Sequence, residues 1–263
     1  MPHKLGQVFL KDFNAIQKLI RLSDLKPEDT VVEIGCGDGD LTQEIASRVK
    51  HVYVIEIDST CIENTQARLK DYENVNYILS DVLKTKLNDL NLKGVKIVAN
   101  VPYYISAKIV KWIIDNRFNI EMAQLMFQKE FSEKLTAKKN TKSYTSLTLY
   151  TQYFFDVSQV FIVPKTCFKP IPKVDSSVVK FFPKEGQVKI ENAFFNMIRA
   201  GFHNRRKLFI NSLKKNPFIK LDKSFLEIPF FADNLNCRAE TMDISDFKVL
   251  YEQIKPFIIK SCE

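Results

Sequence analysis

The stretch Thr30-Val31-Val32-Glu33-Ile34-Gly35-Cys36-Gly37-Asp38-Gly39-Asp40 carries the signals from which the fold is predicted. Its first five residues are mostly apolar and β-branched, which predicts a short buried strand. The three glycines predict a tight loop, because glycine tolerates a positive φ and lets other groups approach the backbone closely. Asp40, with Gln43 three residues later, predicts the N-cap of a helix. The stretch therefore predicts one strand, loop and helix of an α/β fold.

The same alternation of strands and helices continues along the chain. Strands are predicted at residues 52–55, 75–79, 95–99, 123–127, 157–163 and 177–182, and helices are predicted at residues 12–22, at residues 59–70 and after an N-cap at Ser106. Strands that alternate with helices and are too apolar to be half-exposed indicate a mostly parallel sheet covered on both faces. Glu56, Asp81 and Asn100 each follow a strand, so we expect them at the carboxyl edge of the sheet, where α/β folds bind ligands.

A second, smaller domain is predicted after the segment Pro183-Lys184-Glu185-Gly186-Gln187. Beyond this break the pattern becomes helical, with helices predicted at residues 191–202 and 205–213 and a last one that begins at Ser245. We therefore expect a ligand-binding domain over residues 1–185 and a small α-helical domain over residues 186–263.

The spacing of the glycines indicates which cofactor binds. A dinucleotide fingerprint, G-x-G-x-x-G, would need glycine at position 40, where the chain has Asp40. S-adenosylmethionine (SAM) has no phosphate, and its carboxylate and ammonium groups can use backbone N–H donors and acidic acceptors. Glu56 is expected to accept from the ribose hydroxyls, and Asp81 from the adenine amine. The alternative for either acid alone is an exposed carboxylate that caps a helix.

The segment Asn100-Val101-Pro102-Tyr103 predicts the chemistry. An exocyclic adenine amine is a poor nucleophile, and two acceptors that hold its hydrogens would aim its lone pair at a methyl group. The side-chain oxygen of Asn100 and the carbonyl of Val101 can do this, with Pro102 restricting the backbone. Tyr103 can stack on the extruded base. The alternative is a turn with a packed tyrosine, the role that we expect for Tyr104.

Two clusters of basic residues indicate a polyanionic partner. The chain has a net charge of +8, and residues 199–220 contain seven basic residues and no acidic one. A second cluster comprises Lys165, Lys169 and Lys173. Cations that neutralise phosphates release counterions and so contribute sequence-independent affinity for nucleic acid. A solvated basic face is the alternative for either cluster alone.

The remaining composition predicts a cytoplasmic protein without a metal. No apolar run approaches the length of a membrane span, and the first residues lack the apolar core of a signal peptide. The five cysteines are widely spaced and the three histidines lie far apart, which predicts reduced thiols and no metal site.

At these residues the chain resembles the KsgA/RsmA family of small-subunit rRNA adenine dimethyltransferases. The resemblance runs nearly end to end. The segments that carry it are Gly6-Gln7-Val8-Phe9-Leu10, residues 33–39, residues 100–106, Gln128-Lys129-Glu130, residues 168–176, Arg205-Arg206-Lys207 with Asn211-Ser212-Leu213, and Arg238-Ala239-Glu240. The chain departs from the family pattern at Val8 and Tyr104, where asparagine is usual, and at Asn204, where glutamine is usual.

The resemblance implies a Rossmann-like class I SAM-dependent methyltransferase domain followed by a small helical domain. It implies N6,N6-dimethylation of two adjacent adenosines near the 3′ end of 16S-type rRNA, on a pre-ribosomal 30S particle and by a monomer. The residues expected at SAM are Val8, Leu10, Gly35, Gly37, Gly39, Glu56, Asp81 and Asn100. Phe168 is expected as a second aromatic beside the base, and Lys165, Lys169, Lys173, Arg205, Arg206 and Lys207 are expected at RNA.

Two other functions stay open at this point. The nearest is an Erm-type methyltransferase that acts on large-subunit rRNA by the same chemistry. The other is a non-catalytic ribosome-assembly factor that retains the fold, although the intact Gly35, Glu56, Asp81 and Asn100 argue for catalysis. Asp40 argues against a nicotinamide dehydrogenase.

Overall fold

The computed structural model describes residues 8–186, 191–234 and 236–259. The strands in these residues are β1 (Phe9–Leu10), β2 (Thr30–Ile34), β3 (His51–Glu56), β4 (Val75–Leu79), β5 (Val95–Asn100), β6 (Ile120–Gln128), β7 (Phe155–Val163), β8 (Phe168–Lys169) and β9 (Ser176–Pro183). The α-helices are α1 (Phe13–Leu22), α2 (Asp40–Ala46), α3 (Ser59–Arg68), α4 (Ser106–Asp115), α5 (Lys129–Leu135), α6 (Ser146–Phe154), α7 (Asn192–His203), α8 (Phe209–Lys214), α9 (Pro229–Asp233) and α10 (Ile244–Ile254).

A seven-stranded sheet confirms the predicted mostly parallel α/β architecture. Its strand order is β4-β3-β2-β5-β6-β9-β7, in which β9 alone runs antiparallel to the other six strands. From β2 the chain moves outward to β3 and β4, and then returns to place β5 on the other side of β2. This reversal opens a crevice at the carboxyl ends of β2 and β5, where such sheets bind ligands.

A second, two-stranded sheet was not predicted from the sequence. β1 pairs with β8, so that Leu10 lies opposite Phe168. The backbone N–H groups of Lys11 and Asp12 both donate to the carbonyl of Cys167, at 2.8 and 3.1 Å. These bonds hold residues 8–12, which we call the strap, against β8. The two strands are only two residues long and lie more than 150 positions apart, so the sequence shows no periodic pattern that would predict their pairing.

The described chain forms two compact units, and the division differs from the predicted one. The first unit contains the residues up to Glu133 together with Phe154–Lys184, and the second contains Lys134–Tyr153 and the residues from Glu185 onward. Residues 134–153 were counted with the first domain in the sequence-based division. Tyr144 and Leu149 are buried in the apolar core of the second unit, and the Tyr144 hydroxyl donates to the carbonyl of Met242 at 3.0 Å.

Several helix ends differ from the prediction. Asp40 is the first residue of α2 and not its N-cap, because Gly39 takes that position at a φ of 81° while the Asp40 carboxylate accepts from Lys11 and Arg68. Ser106 is likewise the first residue of α4 rather than its cap, and the last helix is capped by Asp243. The predicted helix at residues 205–213 begins only at Phe209.

Helices α5 and α6 were not predicted, because both are short and α6 is rich in threonine and tyrosine, which favour strands. Among the described residues, no helix has the length and apolar character needed to span a membrane.

Candidate active site

A pocket of about 310 Å³ lies at the carboxyl edge of the main sheet, entirely within the first unit. It brings together most of the residues predicted to bind the cofactor and to perform the chemistry. Those that line it are Val8, Leu10, Gly35, Gly37, Glu56, Asp81, Asn100, Val101, Pro102 and Tyr103. Gly39 and Phe168, which were also predicted at the site, do not line it.

The glycine loop forms the floor of the pocket next to the strap. Gly35 and Gly37 have φ values of 78° and 54°. A Cβ atom on Gly37 would lie 2.7 Å from Cδ1 of Phe9, so the strap packs directly on the loop. Gly39 instead faces Thr65 of α3, where a Cβ atom would lie 2.9 Å from Cγ2. Glycine is thus required at position 37 because Phe9 of the strap approaches closely, and at position 39 because the loop packs on α3.

Glu56 ends β3 with its carboxylate held in a defined orientation. Its Oε1 accepts from the backbone N–H groups of Ile57 and Asp58, at 2.7 and 2.9 Å. The only described donor near Oε2 is the Cys36 thiol, whose Sγ lies 4.0 Å away. The side chain is buried, so Oε2 is an acceptor presented to the pocket with little access to water. This geometry suits recognition of hydroxyl donors.

Asp81 is placed in a similar way after β4. Its Oδ1 accepts from the N–H of Leu83 at 3.0 Å and caps a short 3-10 turn. Within the part of the chain that the structure describes, no group donates to Oδ2. Oδ1 thus has the helix-capping role that was the alternative for this residue. Oδ2 is left to accept from a ligand at the pocket wall.

Asn100 at the end of β5 is oriented by the strap. Its Nδ2 donates to the carbonyl oxygen of Val8 at 3.1 Å. Because a carbonyl can only accept, this bond fixes which end of the amide is nitrogen and leaves Oδ1 as the free acceptor. The contact uses the backbone of Val8, so the departure from asparagine at this position does not remove it.

The two tyrosines after Pro102 have different environments. The Tyr103 hydroxyl is 2.6 Å from Oγ of Ser176, the first residue of β9. Burial raises the pKa of Tyr103, the Ser176 hydrogen bond opposing the rise, so the ring is a neutral phenol at physiological pH. Tyr104 is 61% exposed, and the prediction that it belongs to the core is wrong. Tyr103 is the anchored aromatic and Tyr104 the one accessible from solvent.

Phe168 is fully buried in the apolar core of the first unit, beneath the strap. It pairs with Leu10 through β8 and packs among aliphatic side chains instead of facing the pocket. In this conformation it anchors the strap. A role beside the target base stays a prediction that this geometry does not support.

Glu33 of β2 is an unpartnered acid at the back of the pocket. It is 1% exposed, and neither carboxylate oxygen has a hydrogen-bond partner among the described residues. Burial raises the pKa of Glu33 to about 8; the nearby Thr42 hydroxyl opposes this shift without forming a hydrogen bond, and the Glu56 carboxylate adds to it. The sequence did not indicate that the pKa of this acid is raised.

We expect Glu33→Gln to remove a pH dependence of stability. With a raised pKa, folded Glu33 retains between pH 4.5 and about 8 a proton that the unfolded chain has lost. The free energy of unfolding should therefore fall as pH rises through this interval in the parent protein, and fall less in the variant. Urea unfolding at pH 5, 6.5 and 8, followed by fluorescence of the single tryptophan, Trp112, measures the first unit.

The matched control for this measurement is Glu63→Gln, which changes an exposed glutamate on α3. We expect that variant to follow the parent at each pH. Parallel pH profiles for Glu33→Gln and the parent protein would show that Glu33 is already ionised when folded.

Lys11 joins the strap to the glycine loop, a feature that the sequence did not indicate. Its Nζ lies 2.6 Å from Oδ2 of Asp38 and 2.7 Å from Oδ2 of Asp40. Partial burial alone would lower the pKa of Lys11, but the two carboxylates raise it above its ordinary value. The strap is therefore held at one end by Asn100 and at the other by this pair of ion pairs.

The residues predicted at RNA fall into three groups. Lys165, Lys169 and Lys173 are exposed in the first unit. Arg206 and Lys207 are exposed in the second unit and, with Lys214, Lys215 and Arg238, line what we call the cationic groove. Arg205 instead forms hydrogen bonds within the second unit. Its Nε donates to Glu240 at 2.6 Å, and its two terminal nitrogens donate to the carbonyls of Lys142 and Thr141.

The described cysteines are free thiols, and the described residues form no metal site. Cys36, Cys61, Cys167 and Cys237 are free thiols, and Cys262 lies outside the described residues, as do Gly6 and Gln7 of the N-terminal motif. Within residues 8–186, 191–234 and 236–259, no group of three or more His, Cys, Asp and Glu side chains is arranged to hold a metal ion.

Comparison with known proteins gives a consistent result. A family model described as ribosomal RNA adenine dimethylase matches residues 2–237. A Clostridium botulinum (strain Loch Maree / Type A3) protein named ribosomal RNA small subunit methyltransferase A is 38% identical over 257 residues, covering 95% of this chain and 92% of the relative. A protein of the same name from Geobacillus kaustophilus (strain HTA426) is 35% identical, covering 97% and 92%.

Two solved structures are similar over nearly the whole chain. A dimethyladenosine transferase from Plasmodium falciparum has a TM-score of 0.80 and 30% identity, covering 96% of this chain and 100% of that one. The 23S rRNA methyltransferase ErmE has a TM-score of 0.67 and 25% identity, covering 94% and 99%.

Proposed function

This chain belongs to the ribosomal RNA adenine dimethylase family, and on that premise we propose that it dimethylates N6 of two adjacent adenosines near the 3′ end of small-subunit rRNA. The single observation that carries the proposal is the orientation of Asn100. Its Nδ2 is committed to Val8, and its Oδ1 is left free at the pocket that also contains Glu33 and Glu56. The family model and the full-length relatives confirm the resemblance to the KsgA/RsmA family.

The residues of the pocket fit SAM, the methyl donor of this family. Glu33 is buried without a partner and suits a cationic group, while Oε2 of Glu56 and Oδ2 of Asp81 suit hydroxyl and amine donors. Backbone around Gly35 and Gly37 offers close approach for the amino-acid end of the molecule. When bound there, SAM supplies an electrophilic methyl carbon.

Asn100 and the adjacent backbone perform the activation that adenine needs. The lone pair of the exocyclic amine is delocalised into the ring, so the amine must be pyramidal before it can attack. Oδ1 of Asn100 and the carbonyl of Val101 can each accept one N–H, which orients the lone pair. No strong base is required, because the N–H would become acidic once the nitrogen has taken the methyl group from the sulfonium, and its proton could then pass to water.

Tyr103 supports this geometry from one side. Its hydroxyl is anchored to Ser176, so its ring has one preferred orientation and can stack on an extruded base. Stacking of this kind contributes about 1–3 kcal/mol per base. Tyr103 therefore offsets part of the cost of removing an adenine from its helix.

The substrate assignment to the small subunit is supported by the names of the full-length relatives. The likeness to the 23S rRNA methyltransferase ErmE supports the large-subunit alternative, but its TM-score of 0.67 is lower than the 0.80 of the dimethyladenosine transferase. The pocket residues argue against a purely non-catalytic assembly role, since Oδ1 of Asn100 and Oδ2 of Asp81 accept from no described donor and Oε2 of Glu56 has only the Cys36 thiol, at 4.0 Å. We also propose that the protein acts as a monomer on a pre-ribosomal particle in the cytoplasm.

One experiment distinguishes these substrates. Small and large ribosomal subunits that lack adenine dimethylation are incubated separately with the protein and labelled SAM, and the rRNA is digested for nucleoside mass spectrometry. We expect labelled dimethyladenosine in small-subunit rRNA only. Label confined to the large subunit would establish the Erm-type activity instead, and label in neither would support the non-catalytic alternative.

A further inference from the structure

Nearly all of the net charge belongs to the second unit. The whole chain has a charge of +8, and the residues of the second unit contain seventeen lysines and arginines against ten acidic residues, a net charge of +7. Residues 134–153 contribute four lysines and no acidic residue to this total. The segment that sequence-based division had counted with the catalytic domain is thus a major source of the positive charge of the other unit.

The charge of this segment is concentrated in a loop, residues 138–142, which we call the lysine loop. Lys138, Lys139 and Lys142 are exposed. Lys139 is paired with Asp243 at 2.9 Å, whereas Lys138 and Lys142 form no ion pair with any described residue. Two cations of the loop are therefore exposed and have no ion-pair partner in the described part of the chain.

The lysine loop is held firmly to the rest of the second unit. The N–H of Asn140 donates to the carbonyl of Glu240 at 2.9 Å, and Asn140 itself has a φ of 68°. Arg205 binds the carbonyls of Thr141 and Lys142 and pairs with Glu240 through Nε. The backbone of an exposed loop is thus ordered before any ligand binds, which reduces the entropy lost on binding.

Arg205 also connects the lysine loop to the cationic groove along the chain. Arg206 and Lys207 follow it directly and line the groove with Lys214, Lys215 and Arg238. Among the side chains that the structure describes, no acidic one lines the groove. Because Arg205 uses its donors inward, it is placed to position the loop rather than to bind an anion itself.

We propose that the lysine loop is a second phosphate-contacting arm of the RNA-binding surface, in which Lys138 and Lys142 bind the rRNA backbone and Arg205 is the positioning residue. The inference rests on the proposed function for the identity of the RNA. Exposed ammonium groups on a rigid backbone recognise phosphates as point charges, without reading sequence. The arm therefore adds salt-dependent affinity, not base specificity.

The first test measures binding to a 20-base-pair RNA duplex as a function of salt concentration, independently of methylation. Each lost phosphate contact reduces the slope of log affinity against log salt by about 0.7–0.9. We expect Lys138→Gln/Lys142→Gln to reduce the slope by about 1.4–1.8 and to weaken binding at 0.1 M salt by about tenfold or more. The affinity for SAM should not change, because the pocket lies in the first unit.

The matched control is Lys50→Gln/Lys223→Gln, which removes two exposed lysines outside the lysine loop and the groove. An unchanged slope in the loop variant, or an equal reduction in the control, would overturn the proposal. Failure of the proposed function would appear elsewhere, as a parent protein that binds duplex RNA but methylates no small subunit.

A second test separates positioning from direct binding at Arg205. Arg205→Lys retains the charge but loses the planar fork that holds two carbonyls and Glu240. If Arg205 acts through the loop, Arg205→Lys should reduce the salt slope in the parent protein and have no further effect in Lys138→Gln/Lys142→Gln. A silent Arg205→Lys, or an additive loss in the loop variant, would overturn the positioning role of Arg205.

Discussion

Replacing Asn100 by alanine is expected to lower kcat for adenine methylation by about a hundredfold or more, the cost of losing alignment at a reacting centre. The affinity for SAM, measured by calorimetry, should change by no more than several-fold. The reason is that we propose Oδ1 of Asn100 as the acceptor for the nucleophile, and Glu56 and Asp81, at the ends of two neighbouring strands, as the acceptors for the cofactor.

Asn100→Asp makes the same prediction sharper. An aspartate keeps an acceptor for the adenine amine but has no N–H to donate to Val8, so two oxygens would face each other where the bond of 3.1 Å now lies. We expect this variant to lose most of its activity too, because the strap would no longer hold the side chain. High activity in Asn100→Asp would mean that the bond to Val8 is dispensable.

The control is Asn64→Ala, which removes an exposed asparagine of α3. Its turnover and SAM affinity should equal those of the parent protein. Undiminished turnover in Asn100→Ala, measured with under-methylated small subunits, would refute the amine-holding role and with it the mechanism proposed here.

The carboxyl edge of the sheet was predictable from sequence, since each candidate residue there ends its own strand or follows it within two residues. Glu56, Asp81 and Asn100 come immediately or shortly after β-branched, apolar segments, and parallel strands in an α/β sheet end at the same edge. Local patterns of this kind are short-range, so they survive in a single sequence.

Contacts between distant segments were not predictable. The bond from Asn100 to Val8 joins residues 92 positions apart, and the pairing of β1 with β8 involves only two residues on each strand. Arg205 stood in a basic run that predicts RNA binding, yet its donors are satisfied by Glu240 and two carbonyls. A charge pattern reports composition, whereas the use of each side chain depends on which acceptors the fold brings near.

The exposure of Tyr104 was misjudged, and the burial of Phe168 was not foreseen, for a related reason. Both are aromatic residues beside a functional motif, and aromatic character alone does not distinguish a buried anchor from a ring exposed at a site. The structure places Phe168 at 0% and Tyr104 at 61% exposure, the reverse of the expectation. Burial is a property of packing between elements that the local sequence does not encode.

Glu56→Ala is expected to weaken SAM binding by about tenfold to a hundredfold, since hydrogen bonds to a charged group contribute about 1.5–3 kcal/mol each. The loss should appear in Kd and KM for SAM and leave kcat at saturating SAM within a few-fold. Glu56→Gln should lose less, because its amide oxygen can still accept from Ile57 and Asp58 while its nitrogen replaces Oε2 at the pocket.

Variants of Asn100 and Glu56 are thus expected to have opposite effects on kcat and on the Kd of SAM, which turnover assays and SAM titrations can compare. Asn100 variants should lose kcat with little change in the Kd of SAM, and Glu56 variants should lose affinity with little change in saturated turnover. Glu63→Gln, a glutamate exposed on α3, serves as the matched control. If Glu56→Ala bound SAM as tightly as the parent protein, Oε2 of Glu56 would not contact the cofactor, and Glu33 and Asp81 would remain as the acids proposed to bind it.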